Sequence, residues 1–161
     1  MKVGFIGLGK LGLPLACILA NAGNKILCLD KNEYTLDILK NNDLPFFEPG
    51  LNALLGDANE NITGFISSYK EMVEETEAAV ILVNTQLGDH GYSSDFVESA
   101  ISDIAVNLKY SPKEYFTIIL SSTVLPGTIV KTLIPLAERI SENTKRGLGF
   151  LMFQISLNLA M

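Results

Sequence analysis

Apolar residues fall along this chain in two alternating rhythms. Lys2-Val3-Gly4-Phe5-Ile6-Gly7 is a near-continuous apolar run, as expected of a strand buried on both faces. The rhythm then lengthens. Leu11, Leu15, Ile18, Leu19 and Ala22 recur at helical spacing and predict one apolar helix face, with Gly23 as its stop. Lys25–Asp30 predicts a second strand and Glu33–Lys40 a second helix. Residues 44–50 interrupt the rhythm, and Leu51–Leu55 allows a short helix. Ile62–Ser67 predicts a weaker third strand, and Tyr69–Thr76 a helix capped by Ser67 or Ser68. Ala78–Val83 predicts a fourth strand and Asn84–Ser94 a polar loop. The clearest helical stripe is Val97, Ala100, Ile101, Ile104, Ala105 and Leu108. Tyr115–Leu120 and Leu148–Phe153 predict the last two strands, separated by a helix that Pro135 kinks. Strands alternating with amphipathic helices predict a single-domain α/β fold: a doubly wound, Rossmann-like parallel sheet covered on both faces.

Composition narrows the function. The 161 residues carry a net charge of −6 and a mean hydropathy of +0.30, which excludes a disordered chain and argues against a nucleic-acid partner. Before the tail, apolar runs stop near about six residues, far short of the roughly 20 of a membrane span. Two cysteines, Cys17 and Cys28, without a secretory leader pattern indicate a reducing, cytoplasmic setting rather than a disulfide framework. His90 stands alone, so no metal site is expected.

The chemistry concentrates at strand ends. Gly7-Leu8-Gly9-Lys10-Leu11-Gly12 fits G-x-G-x-x-G between a strand and a helix. Gly7 permits the turn, Gly9 leaves room for backbone amides to approach a pyrophosphate, and Gly12 lets helix and strand pack closely. The helix N-terminus adds partial positive charge. Asp30 follows 18 residues after Gly12, where a carboxylate accepts ribose hydroxyls and repels a 2′-phosphate. This predicts NAD rather than NADP, with Lys31 as the one discordant charge. A glycine turn without a ligand is the alternative. Val83-Asn84-Thr85-Gln86 and Ser121-Ser122-Thr123-Val124 leave two further strand ends. They suit either the nicotinamide half of a dinucleotide or ordinary turn and capping chemistry.

Four segments together carry a resemblance. The glycine loop with Leu13-Pro14-Leu15-Ala16, Asp30, Pro45-Phe46-Phe47-Glu48-Pro49-Gly50-Leu51 and Val83-Asn84-Thr85, joined to Ser122-Thr123-Val124-Leu125-Pro126-Gly127-Thr128, resemble the N-terminal domain of the UDP-glucose/UDP-N-acetylmannosamine 6-dehydrogenase family. The resemblance implies an NAD-dependent enzyme of polysaccharide biosynthesis. Such an enzyme oxidises the C6 alcohol of a UDP-sugar to a carboxylate in two hydride transfers. It implies that Gly7, Leu8, Gly9, Lys10, Leu11, Gly12, Asp30, Thr35, Val83, Asn84, Thr85, Ser122, Thr123 and Val124 bind the cofactor. The resemblance further implies that Thr123 helps position a water in catalysis. Gln86 stands where the family carries proline. The family's catalytic cysteine belongs to later domains, and Cys17 and Cys28 read as core residues, so this chain is expected to bind NAD without turning over a sugar.

The resemblance runs over residues 1–150. Residues 151–161 read as an apolar tail, expected from truncation or from a shifted reading frame that would otherwise encode the family's next segment; a naturally short chain with an added edge strand is the alternative. The uncharged run from Leu148 to Met161 is a candidate self-association surface. Two other functions compete: a β-hydroxyacid dehydrogenase domain, and a non-catalytic nucleotide sensor such as those regulating potassium transporters.

Overall fold

The computed structural model describes residues 1–85, 87–88, 91–141 and 147–152. Its strands, in chain order, are β1 (Lys2–Ile6), β2 (Lys25–Leu29), β3 (Ile62–Ile66), β4 (Ala78–Ile81), β5 (Leu87–Gly88), β6 (Gly91–Tyr92), β7 (Tyr115–Leu120) and β8 (Gly147–Met152). All but β5 and β6 form one parallel sheet in the order β3-β2-β1-β4-β7-β8. The order reverses beside β1. The chain winds outward to β3, returns to β4, and winds out the other way, which opens a crevice at the carboxyl ends of β1 and β4.

Alternation along the strands divides the core into two layers. Val3, Phe5, Ile26, Cys28 and Val80 point into one cluster, with the helices α1 (Gly12–Asn21), α2 (Glu33–Lys40) and α3 (Leu51–Ala58). Ile6, Leu27, Leu29, Ala79, Ile81, Phe116 and Ile118 point into the other, with α4 (Tyr69–Glu75), α5 (Asp95–Tyr110) and α6 (Ile134–Ser141). Successive side chains of a strand leave on opposite faces, so an apolar run feeds both layers at once.

Four local expectations change. The buried face of α1 is Leu13, Ala16, Cys17 and Ala20, whereas Leu11 and Ile18 are exposed, Ile18 at 51%. Gly12 sets this rotation. A Cβ there would lie 1.9 Å from the Gly7 carbonyl oxygen, so the helix start is pressed onto the loop and small residues face the sheet. Leu15 and Leu19 pack only at the cluster's edge. The predicted loop after β4 contains the two-residue antiparallel pair of β5 with β6, too short to leave a periodic signal. Ahead of Pro135, Ile129–Leu133 forms a π-helical turn that leads into α6, a widened turn in the stretch where proline removes an amide from the helical ladder. The short helix at Leu51 extends to Ala58, and Gly50 enters it at φ 82°. Of the predicted last strand, Phe153 lies outside the described residues, as does the rest of the tail.

The loops at the carboxyl ends are held by local hydrogen bonds. Asn32 Oδ1 accepts from the amides of Tyr34 (3.1 Å) and Thr35 (3.4 Å) and caps α2. Ser68, rather than Ser67, caps α4 by accepting from the Glu71 amide at 3.3 Å. Among the described residues no helix is long and apolar enough to cross a membrane.

Candidate functional site

The glycine loop closes where β1 hands over to α1. Gly7 has φ +95°, and a Cβ there would stand 2.4 Å from the Leu82 carbonyl oxygen. Backbone conformation and the adjoining β4 end therefore both demand glycine. Gly12 is demanded by the 1.9 Å approach to Gly7. Gly9 differs. Nothing lies within 4 Å of the position its Cβ would take, and the residue borders open space. The loop thus holds two glycines required by packing and one that leaves a space for something else.

Asp30, just past β2, faces this loop. Its Oδ2 accepts from the Leu8 amide at 2.8 Å, and its Oδ1 accepts from the Asn32 amide at 2.9 Å. Each carboxylate oxygen retains lone-pair capacity toward the cleft. The carboxylate is fixed in orientation before any ligand arrives.

Two cavities open along the strand ends. One, of about 540 Å³, is lined by Gly7, Leu8, Gly9, Asp30, Val83 and Asn84, together with Lys31, Asn32, Tyr69 and Phe96. The other, of about 430 Å³, is lined by Gly9, Lys10, Leu11, Gly12, Val83, Asn84 and Thr85, and by Ser121, Ser122 and Thr123. Gly9, Leu82, Val83 and Asn84 border both, so the two form one cleft across the topological reversal. Thr35 and Val124 line neither cavity. Thr35 sits in the first turn of α2 with its amide used by the Asn32 cap, and Val124 packs against the α4–α6 layer. Gln86 and His90 lie outside the described residues.

Within the second cavity the adjacent serines divide their labour. Ser122 Oγ donates to the Val83 carbonyl oxygen at 2.9 Å and tethers the loop after β7 to the loop after β4. Ser121 Oγ is buried with no hydrogen-bond partner among the described residues. An orphaned hydroxyl on a cavity wall is what a ligand amide or hydroxyl would satisfy. Leu82, Tyr69 and Phe96 escape a reading by sequence, and Ser121 enters it only as part of its loop. Tyr69 opens α4 and Phe96 stands in the first turn of α5. First turns of helices that follow strand ends border the same crevice as the loops do.

Cys17 and Cys28 are fully buried away from this cleft. Burial pushes the Cys17 thiol up to about 11, and pushes Cys28 higher still, with nearby Cys17 adding to the shift. Neither is an available nucleophile at neutral pH.

An open parallel sheet with a glycine turn, an acid at the second strand and a cleft across the reversal defines a dinucleotide-binding domain. Residues 1–160 match the model of the UDP-glucose/GDP-mannose dehydrogenase family, NAD binding domain, and the chain belongs to that family. It is 31% identical over 153 residues to GDP-mannose 6-dehydrogenase of Pseudomonas putida, a match covering 93% of this chain and 34% of the relative. It is 30% identical over 129 residues to UDP-glucose 6-dehydrogenase of Rhizobium meliloti, covering 78% and 28%. Among solved structures it superposes on a ternary complex of GDP-mannose dehydrogenase from Pseudomonas aeruginosa with a TM-score of 0.90 at 26% identity, covering 98% of this chain and 37% of that one. The chain spans about a third of the length of the curated relatives it matches.

Proposed function

We propose that this chain is the cofactor half of a nucleotide-sugar 6-dehydrogenase, binding NAD in the continuous cleft. The observation carrying this reading is that the space beside Gly9 joins the Asp30 cavity to the Ser121–Thr123 cavity. The amides at the start of α1 would face the pyrophosphate, and Asp30 would accept the adenosine ribose hydroxyls. Asn84, Thr85, Ser121 and Thr123 would border the nicotinamide end. NAD supplies the hydride acceptor for oxidation of a sugar C6 alcohol to the acid. The chain's own residues orient that acceptor: the loop fixes one end of the dinucleotide, and the Ser122–Val83 tether fixes the wall at the other. Thr123, exposed at the cavity edge, would hold a water by its hydroxyl.

The substrate is a nucleoside diphosphate sugar, a UDP-sugar on the motif resemblance; relatives named for GDP-mannose and for UDP-glucose both match. The sugar-reading residues and the nucleophilic cysteine are assigned to segments beyond residues 1–150. Two buried free thiols suit a reducing cytoplasm, and the product class suits polysaccharide synthesis.

Titration with NAD, NADP and ATP tests the reading. NAD should bind with clear preference over the other two. Equal or tighter ATP binding would favour the nucleotide sensor instead. The same preparation mixed with NAD and a nucleotide sugar should produce no NADH; turnover would show that the reacting groups lie within these residues.

A further inference from the structure

Lys31 follows Asp30 directly, at the place where a cation would receive a 2′-phosphate. Its side chain goes elsewhere. Lys31 Nζ donates to Ser99 Oγ at 2.8 Å and pairs with Asp103 Oδ2 at 3.4 Å. The ammonium also stands 5.9 Å from the centre of the Tyr69 ring. Ser99 and Asp103 are four residues apart on α5 and so present one face to it. Among the described residues Lys31 makes no ion pair with the adjoining Asp30, although it makes one with a carboxylate 72 positions away. Tyr69 flanks the group, which stays open to solvent, the Lys31 side chain being 60% exposed. Burial, with Asp103 and Asp30 close by, raises its phenol well above the ordinary range, so it stays neutral and adds no charge.

We propose that Ser99 and Asp103 act as a specificity-determining clamp, drawing the Lys31 ammonium onto α5 so that Asp30 alone meets the adenosine ribose. Without the clamp, the chain carries adjacent acidic and basic side chains at the ribose edge, an arrangement that tolerates both NAD and NADP. With it, the cation is engaged on the helix and the 2′-phosphate meets only a carboxylate. The consequence of such a partly exposed pair is directional rather than stabilising: it decides where a flexible ammonium spends its time. The inference rests on the cofactor reading above, since it concerns how the same cleft chooses between two dinucleotides.

The test is the Ser99→Ala/Asp103→Asn double variant of the full chain, with NAD and NADP affinities measured by calorimetry at low and high salt. NADP affinity should rise by roughly three- to tenfold, the worth of one partly exposed charge-assisted contact to phosphate. NAD affinity should stay unchanged. The gain should shrink with added salt and vanish when Lys31→Met is combined with the double variant. NAD binding with no NADP gain, or a gain that survives loss of Lys31, overturns the clamp and leaves the cofactor reading standing. Failure of the unsubstituted chain to bind either dinucleotide overturns both.

Discussion

The Leu8 amide donates to Asp30 Oδ2 at 2.8 Å, so the glycine loop and the acid at the end of β2 form one rigid unit. Two features that sequence spacing treats separately are mechanically coupled: displacing either moves the other. Asp30→Asn keeps an oxygen for the Leu8 amide but removes the negative charge and replaces one acceptor by a donor. NAD affinity should fall by about 1–3 kcal/mol, the cost of one mismatched polar contact in a desolvated site. Thermal stability should also fall, by about 1 kcal/mol, because the single carboxamide oxygen can accept from the Leu8 amide or from the Asn32 amide but not from both. Calorimetric NAD titration alongside a melting curve separates the two effects, and unchanged NAD affinity would remove Asp30 from the site.

The three loop glycines should respond differently to the same methyl group. Gly12→Ala places a Cβ 1.9 Å from the Gly7 carbonyl oxygen, against backbone that can move only with the strand end. It should cost about 3 kcal/mol of folding stability. Gly9→Ala meets nothing within 4 Å and should leave stability within about 0.5 kcal/mol. Its methyl instead projects into the cleft where the cofactor reading puts the pyrophosphate, and on that reading NAD affinity should drop by at least about tenfold, as expected when a side chain blocks the backbone's approach to that group. Denaturant unfolding and NAD binding on the pair test this inversion. A stable Gly9→Ala variant with full NAD affinity would move the pyrophosphate away from the loop.

Ser121 and Ser122 make a second contrasting pair. Ser122→Ala cuts the tether to the Val83 carbonyl and should lower stability by about 1 kcal/mol, with a secondary effect on binding. Ser121→Ala removes a hydroxyl that has no partner among the described residues, so stability should hold or rise slightly. NAD affinity should nevertheless weaken by about 1 kcal/mol if the nicotinamide end satisfies that hydroxyl. Unaltered binding in Ser121→Ala would place the nicotinamide elsewhere along the cleft.

Strands were the most legible part of the chain because Val3–Ile6, Ile26–Leu29 and Ala78–Ile81 are buried on both faces, and a short, continuous apolar run between turn residues is the pattern such burial imposes. Helix orientation was less legible. In α1 Leu11, Leu15, Ile18 and Leu19 dominate the hydropathy pattern, yet the buried face is Leu13, Ala16, Cys17 and Ala20, with the close approach of Gly12 to Gly7 at its start. A long-range backbone contact leaves no periodic trace in sequence. In the site, the glycine loop and Asp30 announce themselves by spacing. Ser121 does not, because the recognisable motif starts one residue later. Tyr69 and Phe96 read as ordinary helix openers until the sheet order brings α4 and α5 to the same rim. Thr35 rests on the family resemblance alone: it borders neither cavity, and its amide donates to the Asn32 side chain in the α2 cap.

The buried thiols predict how the fold fails in alkali. In the unfolded chain Cys17 ionises near its ordinary value of 9.0, whereas in the fold burial holds it up to about 11. Between those values the unfolded state carries fewer protons than the native state, so stability must fall as pH rises. Below pH 9 both states are protonated and this group contributes no slope. Cys28 and Tyr69 are raised in the same direction by burial and add to the fall at higher pH. Unfolding free energy measured in denaturant should therefore be flat from neutrality to about pH 8.5 and decline steeply above about pH 9. Cys17→Ala, which keeps a small apolar group against the sheet, should flatten the first part of that decline. A thiol reagent at about pH 8 should label neither cysteine in the folded chain and both in denaturant. Rapid labelling of the native protein, or a decline that Cys17→Ala leaves untouched, would contradict the burial of these side chains.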